Sequence, residues 1–136
     1  MKLPNKPSEL ILLALQDLAK ARRDKKYYVD MATWHYPDSS TNRCVVCLAG
    51  SVMAFTLKKS INKYLFPDDF AQDTRDKLIA LDYFRKGIIS SGCRVLGIEL
   101  PFDDFDDVEI PNYEQGYLPF RSAMRKLAKR FKEFNL

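Results

Sequence analysis

The chain has 136 residues, of which 46% are hydrophobic and 29% charged, with a formal net charge of +4. This length suits one domain with one core, and the composition argues against overall disorder. The apolar runs are far shorter than the roughly 20 residues that span a bilayer, no secretory signal is evident, and three cysteines do not suggest a disulfide framework, so we expect a cytoplasmic protein.

The first predicted element is a helix that begins at Pro7 or Ser8, since proline suits a first helical turn and serine suits a cap. It ends in the cations of "KARRDKK", which suit the negative end of the helix dipole. Strand propensity then rises over residues 27–34, and "YPDSSTN" has the chemistry of a turn. Residues 94–100 are the one other good strand candidate, so we expect little or no β-strand.

Three more helices are predicted. One covers residues 44–58, and the next covers residues 73–86, where Gly87 is well placed to end it. The clearest is the last, "PFRSAMRKLAKRFKEFNL", in which apolar residues form one face and six cations occupy the remainder. We predict a mainly α bundle of four or five helices in a single domain, residues 1–136.

The spacing of Cys44 and Cys47 raises the question of metal or thiol chemistry. A structural zinc site needs four ligands, and the remaining candidates, Cys93 and His35, are not paired in the sequence. A thiol oxidoreductase places its C-x-x-C at a helix N-terminus that follows a strand, and the segment before Cys44 is a poor strand. If a metal site existed, its ligands would be these three cysteines and His35.

A cysteine–histidine nucleophile is a further alternative. His35 is the only histidine, and it precedes Cys44 closely enough for a turn to bring the two together. No motif identifies the third group that would orient the imidazole, although Asp30, Asp38 and Asn42 are near in sequence.

We favour a packing role for the cysteine segment. At helical spacing, one face carries only small side chains, which suit close approach of a neighbouring element: Cys47, Gly50, Ser51 and Ala54. We therefore expect a buried Cys47, a Cys44 at the mouth of the helix, no catalytic residue, no cofactor and no metal.

Trp34, followed by "RCVVCLAGSVMA" at residues 43–54, resembles a pattern in small proteins encoded by phages and prophages. In those proteins a tryptophan segment precedes a Cys-x-x-Cys-Leu-Ala-Gly-x-x-Met-Ala helix. The later "LIALDYFRKG", residues 78–87, is similar to a second element of the same proteins. The resemblance covers about residues 30–90. It implies a small, mainly helical phage-type protein of the bacterial host cytoplasm, with no established activity and no catalytic residues.

Charge is segregated along the chain. Residues 95–116 carry seven acidic groups and no basic one, whereas residues 117–136 carry six basic groups and one acidic group. The stretch 99–117 is predicted to be an acidic, proline-bounded loop without the glycine or the spacing of a calcium loop. The loop would contact either a basic partner or the C-terminal helix of the same chain.

The predicted function is therefore interaction with a protein, as a phage-type accessory or host-modulating protein, and not catalysis. Nucleic-acid binding through the basic C-terminal helix is the second alternative, and a Cys–His thiol enzyme is the third. A membrane is not among the predicted partners. The residues predicted to bind the partner are Phe102, Asp103, Asp104, Phe105, Asp106, Asp107, Arg121, Arg125, Lys129 and Arg130.

Overall fold

The computed structural model describes residues 2–100 and 108–136. Its elements, in chain order, are α1 (Pro7–Arg23), β1 (Tyr27–Val29), β2 (His35–Asp38), β3 (Arg43–Val46), α2 (Leu48–Phe55), α3 (Gln72–Arg85), α4 (Ile89–Val95) and α5 (Tyr117–Glu133), with short 3-10 helices at Pro67–Asp69 and Tyr113–Gln115. The fold is mainly α, as predicted, and includes one small three-stranded sheet. Within these ranges no helix has both the length and the apolar character needed to cross a bilayer.

Three of the predicted helices are confirmed. α1 begins at Pro7, with proline in its first turn. α3 ends at Arg85, and Gly87 follows with a φ of +79°, a left-handed conformation that glycine adopts without strain. α5 buries the apolar side of the amphipathic C-terminal sequence and packs on α1. Periodic apolar residues and helix-ending signals therefore located these elements correctly.

The helix predicted over residues 44–58 begins too early. Residues 43–46 form strand β3, and α2 starts at Leu48 with Cys47 as its N-cap residue. The adjacent β-branched residues Val45 and Val46 favour extended backbone. The backbone N–H and C=O groups of this strand then pair with β1 on one side and β2 on the other. The cysteine at the mouth of the helix is thus Cys47, and the prediction that placed Cys44 there is wrong.

Two other local predictions are corrected. The strand predicted over residues 94–100 is wrong, because helix α4 extends to Val95 and packs on α3, a turn follows at residues 96–97, and residues 98–100 join no strand. The segment predicted as a turn begins as strand β2, and the chain reverses only over residues 39–42, where Asn42 has a φ of +56°. Tertiary packing outweighs local propensity in both cases.

The sheet has the strand order β1-β3-β2, with β1 parallel and β2 antiparallel to β3. Leu65 adds a further rung outside β2, since its N–H donates to the His35 carbonyl at 3.0 Å. The side chains of His35, Cys44 and Val46 point to the inner face, where α2 packs, and all three are buried. The opposite, outer face of the sheet carries the alternate residues of each strand.

Gly50 sets how closely α2 approaches the sheet. A Cβ at this position would lie 1.7 Å from the carbonyl oxygen of Trp34, the same oxygen that accepts a hydrogen bond from the Cys47 N–H at 3.2 Å. Ser51 and Ala54 on this side of the helix are buried as well. The predicted strip of small residues is confirmed, and its closest neighbour is the backbone that leads into β2 rather than another helix.

The close approach at Gly50 makes Gly50→Ala strongly destabilising. The new methyl group would meet backbone that cannot rotate away, so we expect the free energy of unfolding to fall by more than about 2 kcal/mol. Gly97→Ala is the control, because its Cβ would have no neighbour within 4 Å and only its φ of +70° is unfavourable, which costs about 1 kcal/mol. Urea denaturation measures both values, and equal losses would contradict this account of Gly50.

Candidate functional site

The structure brings His35 and Cys44 into contact under the sheet. Their side chains are 1% and 0% exposed, and the Cys44 sulfur lies 3.6 Å from Nδ1 and 3.5 Å from Nε2 of the imidazole. These nearly equal distances do not fit a sulfur in line with one ring N–H bond. The contact is therefore a packing contact with the ring rather than the directed hydrogen bond of a nucleophile and its base.

The orientation of His35 is set by a carbonyl group. Its Nδ1 donates to the Lys63 carbonyl at 2.8 Å, which keeps the proton on Nδ1 and leaves Nε2 without one. The nearby polar residues Asp30, Asp38 and Asn42 do not fill this role. Lys63 lies two residues before the Leu65 rung, so the hydrogen bond also holds that segment against β2.

The electrostatics of the pair oppose thiol catalysis. Burial raises the pKa of the Cys44 thiol to about 11, and burial lowers the pKa of the His35 imidazole from its ordinary value of 6.5. Both groups are therefore neutral at neutral pH, whereas a cysteine–histidine nucleophile needs a thiolate beside an imidazolium. The geometry offers no support for the thiol-enzyme alternative.

The other two cysteines, Cys47 and Cys93, are packed in the hydrophobic core. Cys47 caps α2, its sulfur accepting the Gly50 N–H at 3.3 Å, and Cys93 lies buried in α4. Burial raises the pKa of each thiol to about 11. In the parts of the chain that the structure describes, no three His, Cys, Asp or Glu side chains are grouped to hold a metal ion, so the fallback ligands, including Cys44 and His35, do not converge.

Of the residues predicted to bind a partner, only the four cations of α5 lie in the part of the chain that the structure describes. Residues 102–107 lie outside the described residues. On α5, Arg125 and Lys129 are exposed. Arg121 places its guanidinium carbon 5.4 Å from the centre of a tyrosine ring, and Arg130 pairs with a glutamate at 3.3 Å. Two of the four cations are thus engaged with their own helix.

A surface that the sequence analysis did not identify lies on the outer face of the sheet. Tyr28 of β1 and Tyr36 of β2 both pair with Val45 of β3, so the three residues form one line across the sheet. Strand alternation directs their side chains away from the buried layer. The two tyrosines are 52% and 36% exposed.

Two more aromatic residues extend this line beyond β2. Tyr64 and Phe66 flank the buried Leu65 and are 56% and 46% exposed. The ring centres of Tyr36 and Tyr64 are 5.0 Å apart, those of Tyr64 and Phe66 are 5.4 Å apart, and the successive planes are inclined by 31° and 32°. We call Tyr28, Tyr36, Tyr64 and Phe66 the aromatic row. It contains four of the seven large hydrophobic side chains that are exposed among the described residues, so this exposure is concentrated rather than scattered.

Cations lie near both ends of the aromatic row. The guanidinium carbon of Arg43 stands 5.2 Å from the centre of the Tyr28 ring. Lys25 and Lys26 directly precede β1, whose start lies beside the start of the parallel strand β3. Lys63 directly precedes Tyr64 and is exposed. Positive side chains therefore border a surface of exposed rings.

One acidic residue, Asp38, lies at the end of β2, beside the start of β3. It pairs with Arg43 in the register of β2 and β3. The hydroxyl and amide of Ser40 donate to Asp38 at 2.7 and 3.0 Å, and these hydrogen bonds lower the pKa of its carboxyl. Its charge is thereby directed at the turn.

The sequence contains a signal for the aromatic row, but a short one. "YLF" at residues 64–66 alternates aromatic and buried side chains, and "HY" at residues 35–36 does the same over two positions. Such alternation is typical of a half-buried strand. The segments are too short for this pattern to stand out, and their assembly in one line depends on strand order.

Comparison with known proteins gives no family: the chain matches none of the protein-family models, curated proteins or solved structures. The resemblance to phage and prophage proteins therefore stays a prediction. The outer face of the sheet carries exposed rings and cations. The inner face carries the buried, neutral Cys44–His35 contact.

The buried His35 makes the stability of the fold depend on pH. Its pKa in the folded state is below 6.5, so the unfolded chain takes up a proton first, and stability is full above pH 6.5 and falls as the pH is lowered. Urea denaturation between pH 7.5 and 5.5 should show this decrease, and His35→Gln should flatten it. Asp17, whose pKa burial raises, is present in both proteins and cancels in the comparison. Identical slopes for the two proteins would contradict the assignment.

Burial and the high pKa should make the native thiols inert. We expect iodoacetamide at pH 8 to leave Cys44, Cys47 and Cys93 unmodified in the folded protein for a time in which the unfolded chain reacts completely. Mass spectrometry of the intact protein measures the modification. Ser90→Cys, which adds an exposed thiol to α4, is the control for reagent activity. Rapid alkylation of Cys44 that His35→Ala removes would instead support a nucleophile.

Proposed function

We propose that this protein binds single-stranded nucleic acid and that the aromatic row is the contact surface. The observation that supports this proposal most directly is the line of four exposed rings across and beyond the sheet. Every nucleobase has a π face, so stacking on tyrosine and phenylalanine rings retains unpaired bases without demanding one sequence. The function is binding, with no catalytic role for the chain.

The placement of charge favours nucleic acid over an uncharged ligand. Arg43 lies against the Tyr28 ring, and the exposed Lys63 directly precedes Tyr64, so a strand stacked on the aromatic row would carry its phosphates past cations. Residues 20–26 alone hold five cations and one acidic group. Rings for the bases and cations for the backbone are the two components of a single-strand surface.

The shape of the surface favours single strands over a duplex. Bases in a duplex are stacked on each other and present only their edges, so exposed rings have no face to contact. Groove-reading proteins instead insert a helix or ribbon that carries polar side chains. The helix α2 is buried under the sheet and cannot do this.

Interaction with a protein, the function predicted from the sequence, has a different basis. Its proposed loop, residues 102–107, lies outside the described residues. Tyrosine and arginine are also enriched where proteins bind each other, so a protein ligand on the aromatic row is the outcome that would displace nucleic acid. The exposed Arg125 and Lys129 on α5 define the alternative nucleic-acid site.

Fluorescence anisotropy with labelled oligonucleotides of twelve thymidines or twelve uridines tests the proposal. We expect binding at low salt that weakens as salt rises, and little binding of a matched duplex. Tyr36→Ala and Tyr64→Ala should each weaken binding by about 5- to 100-fold, since stacking contributes about 1–3 kcal/mol per base. Leu12→Ala removes an exposed hydrophobic side chain from α1 and should leave the affinity unchanged.

Three results would overturn the proposal. The wild-type protein could bind no single strand at low salt. The two tyrosine variants could bind as tightly as Leu12→Ala. The double variant Arg125→Glu, Lys129→Glu could abolish binding that the tyrosine variants retain, which would move the site to α5. Photocrosslinking from position 64 then distinguishes the ligand class, because a crosslinked product that nuclease does not shorten, from a protein that binds no oligonucleotide, assigns the aromatic row to a protein ligand.

A further inference from the structure

A cleft of about 400 Å³ opens beside β1, at the end of the aromatic row that Tyr28 occupies. Residues 28–30 form one wall, and Arg22, Tyr113, Glu114 and Tyr117 form the others. The volume is within the range of about 300–1,000 Å³ that is typical of small-molecule sites and accommodates one planar heterocycle. Tyr28 belongs to both the cleft and the row, so a ligand on one surface can continue into the other.

The wall at residues 28–30 offers backbone hydrogen-bonding groups. The Cys44 N–H donates to the Lys26 carbonyl at 2.8 Å and the Asp30 N–H donates to the Val46 carbonyl at 3.0 Å. In a parallel pair the residues of a strand alternate between facing the partner and facing away. Val29 therefore directs its N–H and C=O away from β3, on the open side of the edge strand, where it lines the cleft.

A planar stack forms the opposite wall. The guanidinium carbon of Arg22 lies 3.7 Å from the centre of the Tyr117 ring, and Nη1 of Arg22 donates to the Tyr113 hydroxyl. This pairing holds the guanidinium flat and in one orientation. Unpaired bases stack on such guanidinium and aromatic planes.

The cleft also contains two carboxylates, those of Asp30 and Glu114. They disfavour phosphate there, but they accept hydrogen bonds from amino and imino groups. One oxygen of Asp30 already accepts from the Ala32 N–H at 2.9 Å, whereas Glu114 is exposed. The acceptors favour a base that presents adjacent N–H donors, and the Watson–Crick edge of guanine presents an imino and an amino group side by side.

We propose that this cleft binds one unpaired base of the strand, with a preference for guanine. The inference rests on the proposed function, since the aromatic row holds the rest of the strand. The base stacks against the Arg22–Tyr117 pair, and its edge meets Glu114 and the backbone groups of Val29, which have no hydrogen-bond partner among the described residues. The aromatic row supplies affinity that depends little on sequence, and the cleft supplies preference for one base.

Oligonucleotides of twelve thymidines with a single guanine at either end test the preference. We expect the better of the two to bind about tenfold more tightly than twelve thymidines alone, as one well-paired base edge contributes about 1–3 kcal/mol of discrimination. Glu114→Gln should abolish the preference and leave binding of twelve thymidines unchanged within about twofold. Glu109→Gln, the same change at another exposed glutamate outside the cleft, should retain the preference.

A direct probe is guanosine 5′-monophosphate, titrated into isotopically labelled protein. The Val29 amide resonance should shift, and it should shift less with Glu114→Gln or with cytidine 5′-monophosphate. This readout requires no oligonucleotide and does not depend on the aromatic row.

The outcomes separate the two proposals. If Tyr36→Ala and Tyr64→Ala weaken binding but no guanine preference exists, or Glu114→Gln leaves it intact, the inference about the cleft is wrong and the proposed function stands. If the row variants have no effect while guanosine 5′-monophosphate shifts the Val29 amide and Glu114→Gln removes that shift, the cleft is a nucleotide site and the proposed function is wrong.

Discussion

The direct contact of α2 with the Trp34 carbonyl is the constraint on which the rest of the structure depends. Only glycine at position 50 lets the helix lie this close, and the Cys47 N–H uses the same oxygen as an acceptor. The helix therefore covers the inner face of a sheet whose strands are only three or four residues long. Strands this short are not stable alone and need such a cover.

Because α2 packs on only the inner face of the sheet, the two faces have different surroundings. Cys44 and His35, which have the chemistry of a catalytic pair, face inward and are closed off, so that both remain neutral. Tyr36 follows His35 in β2, and Tyr28 pairs with Val45, the residue after Cys44 in β3. Both tyrosines therefore face outward. A shift of one residue in strand register would exchange these sets. Alternation along the strands therefore decides which of these side chains are buried and which are exposed.

The sequence predicted the long helices well, because α1, α3 and α5 each repeat their apolar residues over several turns and have recognisable ends. It did not predict β3 or the late start of α2. The segment of residues 43–46 is followed by apolar residues that suit a helix equally well, and its strand conformation depends on pairing with β1 and β2. The aromatic row was not predicted for the same reason, since its residues lie in three separate segments that meet only in the sheet.

The position of β3 between β1 and β2 has a consequence for the order of folding. β2 and β3 are joined by a tight reversal and can pair early, whereas β1 lies before both and can dock only on a strand that already exists. We therefore expect Tyr28 to join Tyr36 late, after the hairpin has formed. The complete aromatic row exists only in the finished fold, so a partly folded chain would lack the surface, and a ligand that spans the row would stabilise the last docking step.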